Sequence, residues 1–196
     1  ATNTNIFLTW NAWTWKSTLV NHFIPKTKKK FVLLWTTWTA AINIRWQTLH
    51  SFFWIMVGWN LRRLKYEQKE RIKKTDVFII DEASMMRADL FDSVDYVLKS
   101  VMENDKPFWG KQIILIWDLL QLPPVLAQHE KDWNWNKVET DEYLEFISKY
   151  SGRFFFNAKA YDKDLFKTIN LKKVYRQDNI ELINSLNLVR AWIQSK

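Results

Sequence analysis

The sequence predicts an α/β fold, a mainly parallel sheet with helices on both faces, and three observations carry that reading. Four short runs are almost continuously apolar, the pattern of strands buried on both faces. The stretches between them are long enough to hold crossover helices. Each run is followed by residues able to do chemistry, and the carboxyl ends of the strands are where open α/β sheets bind ligands. The chain has 196 residues, the size of one domain with its own core. With 47% hydrophobic and 26% charged residues it has a globular composition, which excludes a disordered tail or a collagen-like fibre.

In chain order, the strand-like runs are residues 5–9 (NIFLT), 31–35 (FVLLW), 76–81 (DVFIID) and 112–117 (QIILIW). Helices are expected over residues 16–23, 60–74 and 88–103, which completes a β-α-β alternation. Residues 127–142 (AQHEKDWNWNKVETDE) are polar and charged and read as a surface loop or insertion within a single domain spanning 1–196. A further strand is expected over 166–171 and a helix over about 180–192. The only low-complexity tract is KTKKK at residues 26–30.

The first run leads into Trp10-Asn11-Ala12-Trp13-Thr14-Trp15-Lys16-Ser17-Thr18. A phosphate-binding loop reads G-x-x-x-x-G-K-[ST] between a strand and a helix. Here the strand, the Lys-Ser pair and the expected helix are in place, with Trp at both glycine positions. Glycine serves there because the backbone takes positive φ and brings N–H groups against phosphate oxygens. An indole, with about 150–250 Å² of surface, fills that space instead. The third run ends Asp81-Glu82-Ala83-Ser84. In nucleoside triphosphatases an acid at such a strand end holds Mg²⁺ and a second polarises the attacking water. Taken alone, an acidic pair there is more often a solvated strand end or a helix N-terminus; the Lys-Ser pair after the first run reverses that balance. The fourth run ends Asp118-Leu119-Leu120-Gln121-Leu122-Pro123-Pro124, where Gln121 is placed to sense a γ-phosphate or to serve as an ordinary surface amide.

The net charge of +8 favours polyanionic partners such as nucleic acid or anionic lipid, and solubility alone also accounts for it. The absence of Cys excludes disulfides, thiolate metal sites and cysteine nucleophiles. No apolar run reaches the ~18 residues of a membrane helix, and the polar N-terminus has no signal layout. A soluble cytoplasmic, nucleoid-associated protein with no membrane partner is the expectation.

Together the segments NIFLTWNAWTWKSTLV, TTWTAAINIRWQTLHSFF, DVFIIDEASMM, PFWGKQIILIWDLLQLPPV, FFFNAKAY and LKKVYRQDNIELINSLNLVR resemble, in order, the Pif-type 5′→3′ DNA helicases of superfamily 1, relatives of the RecD-type. The resemblance implies a RecA-like P-loop ATPase domain, the first of two, with ATP and Mg²⁺ as cofactors and single-stranded or forked DNA as partner. It implies that residues Asn11, Ala12, Trp13, Thr14, Trp15, Lys16, Ser17 and Thr18 surround the nucleotide and that Lys16 meets the β- and γ-phosphates. Ser17 and Asp81 would hold Mg²⁺, Glu82 would activate water, and Gln121 and Arg176 would contact the γ-phosphate. Thr37 and His50 would lie near the single-stranded DNA track. On the residues alone, His50 also reads as a packed histidine, Arg176 as a surface arginine, and the basic run 62–74 as a solvated helix face, with DNA contact its minority reading. The family's upstream adenine-reading segment and its second RecA-like domain are expected to be missing from this chain.

The tryptophans depart from the family pattern. The chain has 13 Trp and 3 Gly, where glycine ordinarily makes up about 7% of residues. Trp10, Trp13, Trp15, Trp38, Trp46, Trp109 and Trp117 fall where the family has Gly, and Trp54, Trp59, Trp133, Trp135 and Trp192 sit at expected turns or helix ends. The expectation is a UGA codon, glycine in some bacteria and tryptophan in others, read with the wrong table. Were the tryptophans genuine, the alternative is a catalytically dead nucleic-acid-binding domain.

Overall fold

In a computed structural model, which describes residues 3–10, 26–36, 47–56, 63–117, 122–131 and 136–171, the four apolar runs form β1 (Asn5–Trp10), β2 (Phe31–Trp35), β4 (Val77–Asp81) and β5 (Gln112–Trp117). Two further strands, β3 (Gln47–Thr48) and β8 (Phe166–Leu171), complete a six-stranded sheet of order β3-β2-β4-β5-β1-β8. Every neighbouring pair in it is parallel. The expected α/β class and mainly parallel sheet are therefore what the chain adopts.

Burial explains the unbroken apolar runs. All residues of β4 and β5 are buried. Phe78, Ile80, Ile113 and Leu115 enter one core, while Val77, Ile79, Ile114 and Ile116 enter a second. With both faces covered, the period-2 alternation of a half-wet strand disappears.

Helices α1 (Leu49–Phe53), α2 (Tyr66–Lys74) and α3 (Ala88–Met102) pack into the larger core. On α3 the buried positions Phe91, Val94, Leu98 and Val101 recur at helical spacing, so one stripe faces the sheet. Phe52 and Phe53 of α1 meet Phe78 of β4 with ring centroids 5.9 and 5.4 Å apart. The helix expected over 60–74 begins only at Tyr66, where Lys65 N–H bonds to the Gln68 side chain (2.7 Å) and so sets the start. The helices expected over 16–23 and 180–192 lie outside the described residues.

The stretch 127–142 is more ordered than the expected loop. It holds an antiparallel hairpin, β6 (His129–Lys131) and β7 (Lys137–Glu139), and its last two residues open α4 (Asp141–Lys149). Thr140 closes the base: its N–H bonds to Gln128 O, its hydroxyl bonds to Ala127 O (2.6 Å), and its Oγ1 accepts from Tyr143 N (3.1 Å) as the helix cap. Every residue of β7 is exposed, so the hairpin has no apolar face and no alternation to read.

Arg87 fastens α4 to the start of α3. Its guanidinium grips Asp89 through two bonds (3.0 and 2.6 Å), bonds to Glu142 in the first turn of α4, and lies 5.2 Å from the Phe146 ring centroid. The Arg87 and Asp89 side chains are only 16% and 9% exposed. Removing one partner of such a pair leaves a poorly solvated charge behind. Arg87→Met is therefore expected to lower the unfolding free energy by about 3 kcal/mol, measured by urea denaturation at neutral pH.

Two tryptophans occupy backbone conformations that suit glycine. Trp54 caps the C-terminus of α1 at φ 56°, ψ 38°, donating its N–H to His50 O, and Trp109 sits at φ 54°, ψ 29°. The left-handed region costs an L-residue roughly 1–2 kcal/mol, and the capping position after a helix is the one where glycine is most enriched. The Trp54→Gly chain is expected to gain about 1 kcal/mol, a rise of about 2–4 °C in Tm; a fall in Tm would mean that indole packing outweighs the strain.

Candidate nucleotide site

Because the sheet is parallel, the carboxyl ends of β1, β2, β4 and β5 share one edge. Trp35 pairs with Asp81 across β2 and β4, and Thr9 pairs with Trp117 across β1 and β5. Asp81, the last residue of the buried strand β4, is 4% exposed. Its Oδ1 accepts a bond from the Glu82 N–H (2.8 Å). Glu82 then turns left-handed, at φ 56°, ψ 39°, and opens a 3₁₀ turn over Ala83–Met85.

That turn is held on both sides of Glu82. The Thr36 hydroxyl, one residue beyond β2, donates to the Glu82 carbonyl (3.0 Å), and the Met85 N–H donates to the same oxygen (3.0 Å). Strained backbone persists where surrounding structure over-determines it, and such places cluster at functional sites. The arrangement delivers two carboxylates, one buried and one half-buried, at the end of a central strand. Ser84, two residues on, is 1% exposed, and its hydroxyl has no hydrogen-bond partner among the described residues.

His50, in the short helix α1, is half-buried. Burial lowers its pKa from the ordinary value; the Asp89 carboxylate raises it, and the Arg87 guanidinium lowers it. The histidine thus lies within the field of the Arg87 cluster that begins five residues after Glu82. Thr48 caps this helix, its Oγ1 accepting from Ser51 N (3.1 Å).

Of the residues expected at the site, Asp81 and Glu82 are adjacent on the carboxyl edge, and His50 is placed by its electrostatic coupling to α3. Asn11, Ala12, Trp13, Thr14, Trp15, Lys16, Ser17, Thr18, Thr37, Gln121 and Arg176 lie outside the described residues. Sequence reasoning missed Thr36, whose role depends on β2 pairing with β4. The Thr-Thr pair directly after a buried strand was its only signal. It also missed Arg87, Asp89 and Glu142, since nothing local links Glu142 to an arginine 55 positions away.

A family model described as PIF1-like helicase matches residues 1–144. The chain belongs to the PIF1-like helicase family. It is 32% identical, over 95% of its length, to the ATP-dependent DNA helicase PIF1 of Emericella nidulans, and equally to the ATP-dependent DNA helicase RRM3 of Saccharomyces cerevisiae. It spans 24% and 25% of those proteins, about a quarter of each. Bacteroides Pif1 bound to single-stranded DNA superposes with a TM-score of 0.80 at 35% identity, over 96% of this chain and 43% of that one. The PIF1-like fold therefore extends past residue 144, through α4 and β8. Among the described residues no helix is long and apolar enough to cross a membrane.

The lowered pKa of His50 means that the folded state binds its proton more weakly than the unfolded chain does. Its contribution is complete above the unfolded value of about 6.5 and declines as pH falls through 6.5 toward the lower folded value. Stability is therefore expected to drop between pH 7 and pH 5.5, and the drop to be smaller in His50→Gln, measured by urea midpoints at both pH values.

Proposed function

We propose that this chain is the first RecA-like motor domain of an ATP-dependent 5′→3′ DNA helicase. The observation that carries the reading is the acidic pair Asp81–Glu82, pinned at the carboxyl edge two strands from β1, whose end leads into Lys16 and Ser17. Neighbouring strands lie about 4.8 Å apart, so the acidic pair and the end of β1 are about 10 Å apart across the sheet. That spacing suits a triphosphate between them.

In this reading the backbone from Asn11 to Thr18 surrounds the phosphates, and the Lys16 ammonium meets the β- and γ-phosphates. A buried carboxylate at a strand end and a hydroxyl are hard oxygen donors of the kind Mg²⁺ takes alongside substrate phosphates, so Asp81 and Ser17 are the residues to hold it. When bound, Mg²⁺ neutralises charge on the β- and γ-oxygens. Glu82 accepts the proton of the attacking water. Gln121 and Arg176 contact the γ-phosphate. Thr37 and His50 lie toward single-stranded or forked DNA, and a second RecA-like domain closes the cleft. The matches to named ATP-dependent DNA helicases support this reading, as does the likeness to a Pif1 bound to single-stranded DNA.

The reading requires glycine at positions 10, 13 and 15. Two features of the described tryptophans support it: Trp54 and Trp109 hold left-handed backbone, and the indole N–H groups of Trp109 and Trp117 are buried with no hydrogen-bond partner among the described residues. Leaving a buried donor unsatisfied costs about 1–3 kcal/mol, and glycine removes the donor. A misread glycine codon accounts for both features at once. The competing reading, a DNA-binding domain that does not turn over ATP, follows if the three indoles of the loop are genuine.

Full-length protein with glycine at positions 10, 13 and 15 is expected to hydrolyse ATP faster on single-stranded DNA. Lys16→Ala and Glu82→Gln should each lower that rate by about 10²- to 10⁴-fold, while DNA binding persists. The tryptophan-bearing protein should show no ATP binding by calorimetry. Absence of hydrolysis in the glycine-bearing protein would overturn the motor assignment, and ATP binding by the tryptophan-bearing one would overturn the requirement for glycine.

A further inference from the structure

Two basic runs of the sequence remain outside the motor reading: residues 26–30 (KTKKK) and the lysine- and arginine-rich stretch 63–74. The fold brings them together at the amino-terminal edge of the sheet. Lys30 immediately precedes β2, Asp76 precedes β4 and Lys111 precedes β5. The backbone bonds Val77 N–H to Lys30 O (3.1 Å) and Gln112 N–H to Asp76 O (3.1 Å) hold these three positions in a row across adjacent strands. The C-terminal turn of α2, carrying Arg71, Lys73 and Lys74, ends against the same edge, and a shallow groove lies between Lys30 and α2, lined by Tyr66, Arg71 and Lys74.

The cations there are positioned and largely uncompensated. Lys28, Lys30 and Lys74 are exposed and make no ion pair among the described residues. Lys111 Nζ donates to a neutral acceptor, the Lys73 carbonyl (2.8 Å). The nearby acids are partly engaged: the Asp76 carboxylate accepts from the Lys30 backbone N–H (2.9 Å), and Glu70 pairs with Lys73 (3.6 Å). Glu67 also lines the groove.

We propose that this amino-terminal pole is a second DNA-contacting surface, one that holds the phosphate backbone of duplex DNA. Two arguments select duplex DNA. The pole stands about 17 Å from Asp81, the length of a five-residue strand, so DNA lying here is distinct from a strand tracked at the carboxyl edge. Single-strand sites combine a basic groove with several aromatic platforms. Among the described residues the groove has one exposed aromatic, Tyr66, beside the cations Lys30, Arg71 and Lys74 and the acids Glu67 and Glu70; with Lys28, Lys73 and Lys111 on the same edge the cations outnumber the acids, which suits the dense charge of a duplex better than base stacking. The proposal rests on the assignment of this chain to a DNA motor.

The test uses full-length protein carrying Lys28→Glu, Lys30→Glu and Lys74→Glu together; all three side chains are exposed, and circular dichroism checks the fold. Binding to a blunt 20-base-pair duplex, to a fork and to a short oligo(dT) is titrated across salt concentrations, alongside oligo(dT)-stimulated ATP hydrolysis. Affinity for the duplex and the fork should fall by about tenfold or more, with the log–log salt slope reduced by about 2–3. Oligo(dT) binding and stimulated hydrolysis should stay unchanged. Unchanged duplex affinity and slope would overturn the proposal. So would a parallel loss of oligo(dT) binding, which would assign the surface to the single-stranded track. Failure of the motor reading shows separately, as absence of DNA-stimulated hydrolysis in the parent protein.

Discussion

Parallel pairing of strands buried on both faces is the constraint on which the rest of this structure depends. A strand sealed on both sides satisfies its backbone groups only through its neighbours, and here each of those neighbours runs in the same direction. Chain direction therefore sorts the chemistry. Residues that follow strands collect at one edge, where Asp81 and Glu82 lie, and residues that precede strands collect at the other, where Lys30 and Lys111 lie. The sequence alternates between these edges at every crossover, so acidic and basic groups that are neighbours along the chain end up a strand's length apart.

At the carboxyl edge, strain and its compensation come from different elements. Glu82 adopts a left-handed backbone that a free chain avoids. What holds it there is supplied by the carboxylate one residue before it, a hydroxyl from the adjacent strand end and the turn it opens. Five residues later the Arg87 guanidinium joins the start of α3 to the helix that returns from the hairpin. His50 feels the Asp89 and Arg87 charges of that cluster. A polar network of this kind does its structural work only when every member is satisfied.

Tryptophan is where local and global demands conflict. In a sequence shaped for one fold, local preference and tertiary packing agree. Trp54 and Trp109 hold backbone angles that favour glycine. Trp117 packs well, with ring centroids 5.3 Å from Phe7 and 5.4 Å from Phe155, yet buries its N–H with no partner among the described residues. These are disagreements between a residue and its position.

Much of the fold was legible from residue order. Nearly continuous apolar runs identify β1, β2, β4 and β5 within a residue or so, and in β4 and β5 every position is buried. The helical spacing of Phe91, Val94, Leu98 and Val101 identifies α3 for a related reason, one buried stripe against the sheet. The acidic pair could be singled out because strand ends are where α/β sheets place their chemistry. The apolar spacing of Tyr143, Leu144, Phe146 and Ile147 behind the Thr140 cap marks α4 in the same way as α3. The two-residue strand β3 and the exposed hairpin could not be singled out, since short or solvated elements carry no periodic apolar signal. Nor could the roles of Thr36, Arg87 and Glu142, or the meeting of the two basic runs at one pole. The sequence by itself determined which segments become buried strands and which residues stand at their ends, because burial is a property of each segment's own composition. Only the tertiary structure decided which of those ends are neighbours, because strand order and register depend on contacts between segments far apart in the chain.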